Sequence, residues 1–410
     1  MFSTQSLTEL EGWLAEGTKG SSWVDADSVT AIVQRLAAIE SEAVSTLQRC
    51  TGFSKVDCAA LWHDQQEYLN QFYPWPQLGM STSLKPSRRR SASLMRRPYG
   101  NVLVCLPSNA PVPLMAILAV CGLAAGNRVV LTRPTRVAPI VELVGQVFDD
   151  VDGLAVWTGS ARELVSGELS MFDHVYFMGA SSAYSGVAAN CARHGVSLHF
   201  EGQGNGFAVV GASAEDDVED VVHNLLRAKS FYNGQMCSAP NGVLVAESLL
   251  PKFWDVLTAK CSEYQLTDTL GNLVTGTTWS RIAETGRSTC EPDDWRGLSM
   301  PVFVQTDRVE DALEEEFFAP VAWLGSFGRF DAALAMVSRS RYKLQVSYFG
   351  HDATEMNALL GRRFARYCLN MNPADQDPVL PWGNFGLSGQ SRVQTFFDKF
   401  LEDVIVEGTV

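Results

Sequence analysis

One cysteine, Cys237, occupies a position suited to a nucleophile. In FYNGQMCSAP it follows an amphipathic helical segment that ends at Asn233-Gly234, and it precedes the strand-like run GVLVAE. Loops between elements carry catalytic residues more often than core residues. A nucleophilic thiol needs a lowered pKa or a base within reach. Most cysteines are instead small packed side chains, so the local pattern leaves both roles open.

Glu201 is a carboxylate at the end of an apolar strand. It follows VSLHF and begins the glycine-rich turn EGQGNG. Burial at such a position raises the pKa of a carboxyl group toward neutrality, which suits it to general-base catalysis. A capping or solvated turn glutamate is the equal alternative. The 6 histidines lie in no recognisable Cys–His protease context, and a structural or surface role is expected for each.

Short apolar strands alternate with helices from residue 99 onward, beginning with NVLVCLP and PLMAILAVCGLAAG. This alternation predicts an α/β fold with a parallel sheet, whose ligands bind at the carboxyl ends of the strands. Loops rich in Gly, Ser, Pro and Arg fall at those ends and favour a nucleotide or similar anionic ligand: 107–109, 133–136, 158–160, 178–182 and 201–206. P-loop spacing is absent, and GQGNG lacks the G-x-G-x-x-G spacing of an ordinary Rossmann site.

Residues 1–72 are predicted to form helices, one of them capped by Asp27, and 73–93 a connector. The net charge of −14 argues against nucleic-acid binding. No run approaches the ~18 apolar residues of a membrane span, and the acidic N-terminal segment does not resemble a signal peptide. The 9 cysteines are scattered without C-x-x-C spacing, so a reducing cytoplasm is expected, with neither a disulfide framework nor a zinc site.

Taken together and in order, the motifs resemble the aldehyde dehydrogenase superfamily over roughly residues 97–402, as a short and divergent member. The matching blocks are RRPYGNVLVCLPSNAPVPL, AAGNRVVLTRPT, YFMGASSAYSG, HFEGQGNGFAVV, FYNGQMCSAPNGVLV, EEEFFAPVAWL, YKLQVSYFGHD, the Asn370 region and PWGNFGLSGQSR. The resemblance implies a Rossmann-like cofactor domain (1–205 with 385–402) and an α/β catalytic domain (206–384). It also implies a small oligomerisation hairpin (82–98 and 403–410) and a homodimer.

The resemblance also implies roles for the reactive residues. Cys237 would attack an aldehyde to give a thiohemiacetal, and the Asn109 side chain with the Cys237 backbone N–H would hold the oxyanion. After oxidation, a water activated by Glu201 would hydrolyse the thioester. No metal is needed.

A nicotinamide cofactor is implied by the same resemblance. Its expected contacts are Leu106, Pro107, Ser108, Arg133, Thr135, Arg136, Gly159, Gly179, Ser181, Gly204, Glu316 and Phe318. NADP is preferred over NAD, because Arg133 stands where the family has Lys, and Thr135 or Arg136 where it has Glu. Alternatively, the arginines face solvent and the cofactor binds loosely. Departures at Ser108, Ala180, Gln203 and Asn205 put the pyrophosphate contacts in doubt.

Two other functions remain open at this stage. An acylating member, or an NADPH-dependent reductase of coenzyme A or carrier-protein thioesters, commonly lacks the general base, and Glu201 argues against it. A non-catalytic relative would be expected to lack Cys237, Asn109 or Glu201, and all three are present. The substrate is therefore an aldehyde or an acyl thioester, with no nucleic-acid or membrane partner expected.

Overall fold

The computed structural model describes residues 1–17, 23–72, 81–84, 90–266, 286–289, 298–307, 309–313, 315–375, 380–389 and 391–409. Parts of both predicted oligomerisation segments, 85–89 and Val410, lie outside this set.

The N-terminal part forms helices, as predicted, together with a short strand that the sequence did not indicate. Its elements are β1 (Phe2–Thr4), α1 (Leu7–Ala15), α2 (Ala26–Thr51), α3 (Lys55–Phe72), β2 (Ser81–Leu84) and β3 (Arg90–Pro98). The prediction that Asp27 caps α2 is wrong. Asp25 is the cap, because its extended backbone lets Oδ1 accept the Ser28 N–H at 2.9 Å.

A six-stranded parallel sheet follows in the order β1-β6-β5-β4-β7-β8. Its further elements are β4 (Asn101–Cys105), α4 (Pro111–Ala124), β5 (Arg128–Thr132), α5 (Ala138–Gln146), β6 (Leu154–Trp157), α6 (Ala161–Ser166), β7 (His174–Met178), α7 (Tyr184–His194) and β8 (Ser197–Glu201). Strands β5 and β6 are buried along their whole length, as expected for a sheet covered on both faces. Because all strands run in one direction, the loops that follow them meet at one edge of the sheet.

A seven-stranded sheet has the order β11-β12-β13-β10-β9-β14-β15 and is parallel except between β11 and β12. Its elements are β9 (Gly206–Val210), α8 (Val218–Ser230), β10 (Pro240–Ala246), α9 (Leu250–Lys260), β11 (Arg287–Ser288), β12 (Val302–Gln305), α10 (Val309–Ala312), β13 (Val321–Phe327), α11 (Phe330–Arg339), β14 (Gln345–Phe349), α12 (Ala353–Leu360) and β15 (Arg366–Leu369). Apolar clusters occupy both of its faces.

The C-terminal part adds β16 (Trp382–Asn384), β17 (Ser391–Gln394) and β18 (Leu401–Thr409). Strand β18 pairs antiparallel with β3 from Leu401 opposite Pro98 to Thr409 opposite Arg90, and β2 extends this sheet. The turn before β18 returns to the first sheet, where Phe400 is fully buried. None of the described helices is long and apolar enough to cross a membrane.

Candidate active site

The loop that carries Cys237 has an unusual backbone. After α8 the chain makes a short 3-10 turn, Phe231–Gly234, in which Tyr232 and Asn233 have φ angles of 49° and 51°. Left-handed backbone is costly for residues other than glycine and persists only where the surroundings enforce it. Here the Asp57 carboxylate accepts the Tyr232 N–H at 3.2 Å, and the Gly52 carbonyl accepts from Asn233 Nδ2 at 3.4 Å. The N-terminal helices therefore hold the turn before the cysteine.

Asn109 lies in the loop after β4 and faces the same turn. Its Nδ2 donates to the Gln235 carbonyl at 3.0 Å. Since a side-chain amide carries two N–H groups, this bond fixes the orientation of the amide and leaves one donor for another acceptor. Asn109 and Cys237 line a common cavity.

The glycine turn after β8 packs directly on the cysteine. The Gly202 N–H donates to the Ser388 carbonyl at 2.7 Å, and Ser388 Oγ donates to the Gly204 carbonyl at 3.3 Å. The segment 386–389 thus fixes both ends of the turn. A Cβ atom at position 204 would lie 1.6 Å from the Cys237 carbonyl oxygen, so only glycine fits there.

Glu201 is held at one carboxylate oxygen. Its Oε1 accepts from Tyr176 Oη at 2.7 Å and from Lys399 Nζ at 2.7 Å, and lies 3.0 Å from His199 Nε2. Burial raises the pKa of this carboxyl, but the charge of Lys399 and the contact with His199 outweigh it and hold the pKa well below its usual range. The prediction that burial would bring this pKa toward neutrality is wrong, because a cation is buried with the carboxylate.

Glu316 is a second buried carboxylate near the cysteine. Its Oε1 accepts the N–H groups of Gly204 at 2.8 Å and Asn205 at 3.4 Å. Burial raises the pKa of Glu316 to about 7, and these bonds and the charge of buried Lys229 offset only part of that rise. Glu316 therefore changes its charge near neutral pH.

The thiol of Cys237 has a raised pKa, about 12, because of burial first and the charges of Glu316 and Glu201 second. A nucleophilic thiol needs either a lowered pKa or a base within reach, and the pKa of the Cys237 thiol is not lowered. A base within reach is the route that remains, and two carboxylates line the cavity beside the thiol.

The cavity has a volume of about 890 Å³ and lies between the two large sheets and helix α3. Six of the predicted cofactor contacts line it: Leu106, Pro107, Ser108, Gly179, Glu316 and Phe318. Tyr232, Met236 and Trp382, which surround the cysteine motif in the sequence, also line it.

The comparisons with known proteins agree with this arrangement. The sequence model of the aldehyde dehydrogenase family matches residues 27–406 of this chain. The chain belongs to this family. It is 26% identical over 352 residues to aldehyde dehydrogenase family 3 member B2 of Mus musculus, which covers 78% of this chain and 70% of the relative. It is 27% identical over 363 residues to coniferyl aldehyde dehydrogenase of Pseudomonas sp., with coverages of 76% and 73%.

Solved structures of other aldehyde dehydrogenases share the fold. Lactaldehyde dehydrogenase from Escherichia coli superposes with a TM-score of 0.84 at 18% identity, covering 94% of this chain and 86% of that one. Betaine aldehyde dehydrogenase from Staphylococcus aureus, in complex with NAD⁺, gives 0.83 at 19% identity, with coverages of 98% and 84%. The predicted fold class is confirmed. This aldehyde dehydrogenase is an oxidoreductase that acts on aldehydes with NAD(P).

The other predicted cofactor contacts of this aldehyde dehydrogenase lie outside the lining of the cavity: Arg133, Thr135, Arg136, Gly159, Ser181 and Gly204. Arg133, just after β5, forms an ion pair with Glu142, and its Nη2 donates to the Thr158 carbonyl at 3.3 Å. Arg136 Nε donates to the Cys50 carbonyl at 3.2 Å. Neither arginine is simply directed into solvent.

A dinucleotide suits these strand ends. Arg133 Nε is buried without a hydrogen-bond partner among the described residues, and its Nη1 and Nη2 contact Glu142 and the Thr158 carbonyl, so a phosphate would pair with this guanidinium by displacing one of these contacts. After β7, Ser181 Oγ donates to the Leu387 carbonyl at 2.6 Å, while Gln203 Oε1 accepts the Ser181 N–H at 3.3 Å. Gln203, which replaces a family glycine, therefore lies directly against the loop that precedes α7.

Sequence reasoning missed the partners of Glu201. His199 was expected to be structural, and neither Lys399 nor Tyr176 was considered. The one available signal was a lysine inside the aromatic run FFDKFL, since a lysine flanked by buried apolar residues needs a buried partner. The acidic part of the cavity wall, Asp57 and Asp64 of α3, was also not predicted.

Proposed function

We propose that this enzyme oxidises an aldehyde to a carboxylic acid through a covalent bond to Cys237. The observation that carries the proposal is that Cys237, Asn109 and Glu201 line one cavity, although they lie on separate segments of the chain. The thiolate sulfur attacks the carbonyl carbon. The developing oxyanion accepts the free N–H of Asn109 Nδ2 and the backbone N–H of Cys237.

The buried carboxylates serve the proton transfers. Glu316, whose pKa is about 7, can accept the thiol proton near neutral pH. A nicotinamide cofactor held by the loops after β4 to β7 would supply the hydride acceptor for oxidation of the Cys237 adduct to a thioester. Glu201 then orients and deprotonates the water that hydrolyses this thioester, using Oε2, since Tyr176, His199 and Lys399 all contact Oε1.

We propose NADP as the preferred cofactor, with NAD as the alternative. The loops that follow β4 to β7 would hold the cofactor. Within them, Arg133 and Arg136 would contact the adenosine ribose. Arg133 carries the charge that would pair with a 2′-phosphate once its contact with Glu142 is exchanged. Because Arg133 is paired with Glu142, the preference for NADP over NAD should be smaller than two unpaired arginines would give.

We also propose the domain division 1–205 with 385–402 for the cofactor and 206–384 for catalysis. The division is supported by the two large sheets, whose strands separate between β8 and β9. A cytoplasmic location is in keeping with the cysteines of the described residues, which are free thiols.

A homodimer formed through β3 and β18 completes the proposal. Met95, Ile405 and Val406 are 40%, 66% and 49% exposed on this strand pair, which suits a protein contact. Sedimentation velocity of Ile405→Asp tests it, with exposed Leu7→Asp as the control. The proposal predicts dissociation for the first variant alone, and a dimer in both would contradict it.

Single-turnover kinetics tests the catalytic proposal. Enzyme is mixed with NADP⁺ or NAD⁺ and a panel of aldehydes, and absorbance of the reduced cofactor is followed. A burst followed by a slower steady rate is expected; Cys237→Ala removes both, and buried Cys261→Ala keeps both. Glu201→Gln should keep the burst and lose the steady rate. A full steady rate in Glu201→Gln would exclude Glu201 as the base.

The strong pairing of Glu201 with Lys399 favours one second candidate, transfer of the acyl group to a thiol. A carboxylate whose pKa lies far below its usual range is a weak base. An attacking thiolate needs less help from a base than water does. In the reverse direction the enzyme would reduce acyl thioesters with NADPH. Thioester-dependent consumption of NADPH without oxidation of free aldehydes would establish this function and exclude the hydrolytic one.

A further inference from the structure

Lys399 is fully buried, with 0% of its side chain exposed, and its Nζ lies 2.7 Å from Glu201 Oε1. It belongs to the short 3-10 turn Asp398–Phe400, which precedes β18 and is separated from Glu201 by 198 positions in the sequence. A buried ammonium is costly unless it is paired. The turn therefore brings a cation to the end of β8 for which Glu201 is the partner.

Aromatic groups surround the rest of the ammonium. Nζ donates to Tyr176 Oη at 3.3 Å, and it lies 5.5 Å and 5.1 Å from the ring centres of Tyr176 and Phe396. These contacts stabilise a cation without competing for its proton. The neighbouring Asp398 pairs with Arg96 of β3 at 2.6 Å, so the turn that carries Lys399 is fixed from both sides.

The carboxylate of Glu201 is held asymmetrically. Tyr176, His199 and Lys399 all contact Oε1, and no described residue donates a hydrogen bond to Oε2. Glu201 lines the cavity together with Cys237. One oxygen is thus an anchor, and the other is available to a water in the cavity.

We propose that Lys399 is a positioning residue for the hydrolytic step: it keeps Glu201 ionised and fixes Oε1, so that Oε2 is the oxygen that accepts the proton of the attacking water. This inference rests on the proposed role of Glu201 as the base. It adds a residue from the C-terminal turn to the catalytic apparatus.

The charges around the pair agree with this role. Burial alone would favour a neutral Glu201, and the Lys399 charge is the largest influence that opposes it. The titratable groups that interact with Glu201 or Lys399 are His199, Tyr176, Cys121 and Cys237. Tyr68, Asp398 and Glu316 interact in turn with Tyr176, Cys121 and Cys237. Burial first and the Lys399 charge second lower the pKa of His199, so Lys399 is the main cation beside Glu201. Loss of the ammonium would therefore raise the pKa of Glu201.

The test separates the two phases of turnover across pH. The burst and the steady rate are measured from about pH 5.5 to about pH 9 in wild type, Lys399→Gln, Lys399→Met and Lys399→Arg. The glutamine variant keeps a hydrogen-bond donor and is used if the methionine variant does not fold. Infrared spectra of each variant and of its Glu201→Gln double variant report directly whether Glu201 is protonated.

In Lys399→Gln and Lys399→Met we expect a burst rate within about twofold of wild type. Their steady rate at about pH 6 should be at least tenfold lower than that of wild type and should recover as pH rises. Their infrared spectra should contain a protonated-carboxyl band that the double variants lack, and Lys399→Arg should keep the wild-type profile. A uniform loss of rate with an unchanged pH profile would overturn the proposal, as would absence of the band. If Glu201→Gln alone kept the steady rate, the proposed function itself would fail.

Discussion

Gly204 and Cys237 are in direct backbone contact across the active site. A Cβ atom at position 204 would lie 1.6 Å from the Cys237 carbonyl oxygen and 2.5 Å from its carbonyl carbon. Both groups belong to backbone segments that are fixed elsewhere, Gly204 by Glu316 and Ser388. No side-chain rotation can relieve such an overlap, so any side chain at position 204 would displace the backbone of Cys237 and with it the thiol.

Gly204→Ala should therefore reduce the burst rate by about 100-fold, because a shift of about 1 Å in a reacting group costs that much. Gly12→Ala is the matched control, since a Cβ there meets nothing within 4 Å and lies in helix α1, away from the cavity. The control should keep full activity and gain roughly 0.5–1 kcal/mol of stability. Equal burst rates in the two variants would contradict the contact.

Asn109→Asp tests the oxyanion donor with almost no change in shape. The aspartate has no N–H to give to the oxyanion and faces the Gln235 carbonyl with a negative charge. We expect the burst rate to fall by about 10²- to 10³-fold. Exposed Asn357→Asp on α12 adds the same charge away from the cavity and should change the rate less than about twofold. If Asn109→Asp changed the burst rate only slightly, the oxyanion would be held by donors other than Asn109.

Glu316 should make cofactor binding depend on pH. Its pKa is raised to about 7 by burial, so it is protonated below that pH and ionised above it. An ionised carboxylate accepts hydrogen bonds from ribose hydroxyls more strongly, and we expect the dissociation constant to fall about fivefold as pH rises through this value. Fluorescence titration with the reduced cofactor measures it. Glu316→Gln should abolish the dependence, and neighbouring Glu315→Gln should keep it.

The sequence predicted much of this site because the motifs are local. The strands and helices from β4 to β10 follow from apolar periodicity, and the family motifs identify the residues that line the cavity. Strand β1 was missed because three residues are too short for a periodic signal. Lys399 was missed for a different reason: its contact with Glu201 joins residues 198 positions apart, which no local pattern indicates, and the direction of the Glu201 pKa shift depends on that contact.

Arg133→Ala should weaken the binding of NADP⁺ more than the binding of NAD⁺. In the proposed complex the 2′-phosphate replaces Glu142 as the partner of the guanidinium, and this charge-assisted bond is lost only with the phosphorylated cofactor. We expect the dissociation constant of NADP⁺ to rise about 10- to 100-fold, and that of NAD⁺ to change less than about threefold. Surface Arg35→Ala, which breaks an ion pair with Asp150, is the control. Equal losses for both cofactors would indicate that Arg133 only supports the loop.

The pair formed by Glu201 and Lys399 should also dominate the stability of this region. Lys399→Met leaves a buried carboxylate without its cation, and we expect a loss of about 3–5 kcal/mol in the free energy of unfolding. The double variant with Glu201→Gln removes both charges and should recover a large part of that loss. The exposed pair Arg35–Asp150 supplies the comparison, and its removal should change the free energy of unfolding far less.

The pH dependence of the same pair has a definite sign. The folded pKa of Glu201 lies below its unfolded value, so the stabilisation is present above the unfolded pKa of about 4.3 and is lost as pH falls below it. Denaturant unfolding at neutral and acidic pH should therefore show the gap between wild type and the double variant closing in acid. A gap that is independent of pH would mean that packing of the Lys399 stem, not its charge, stabilises the site.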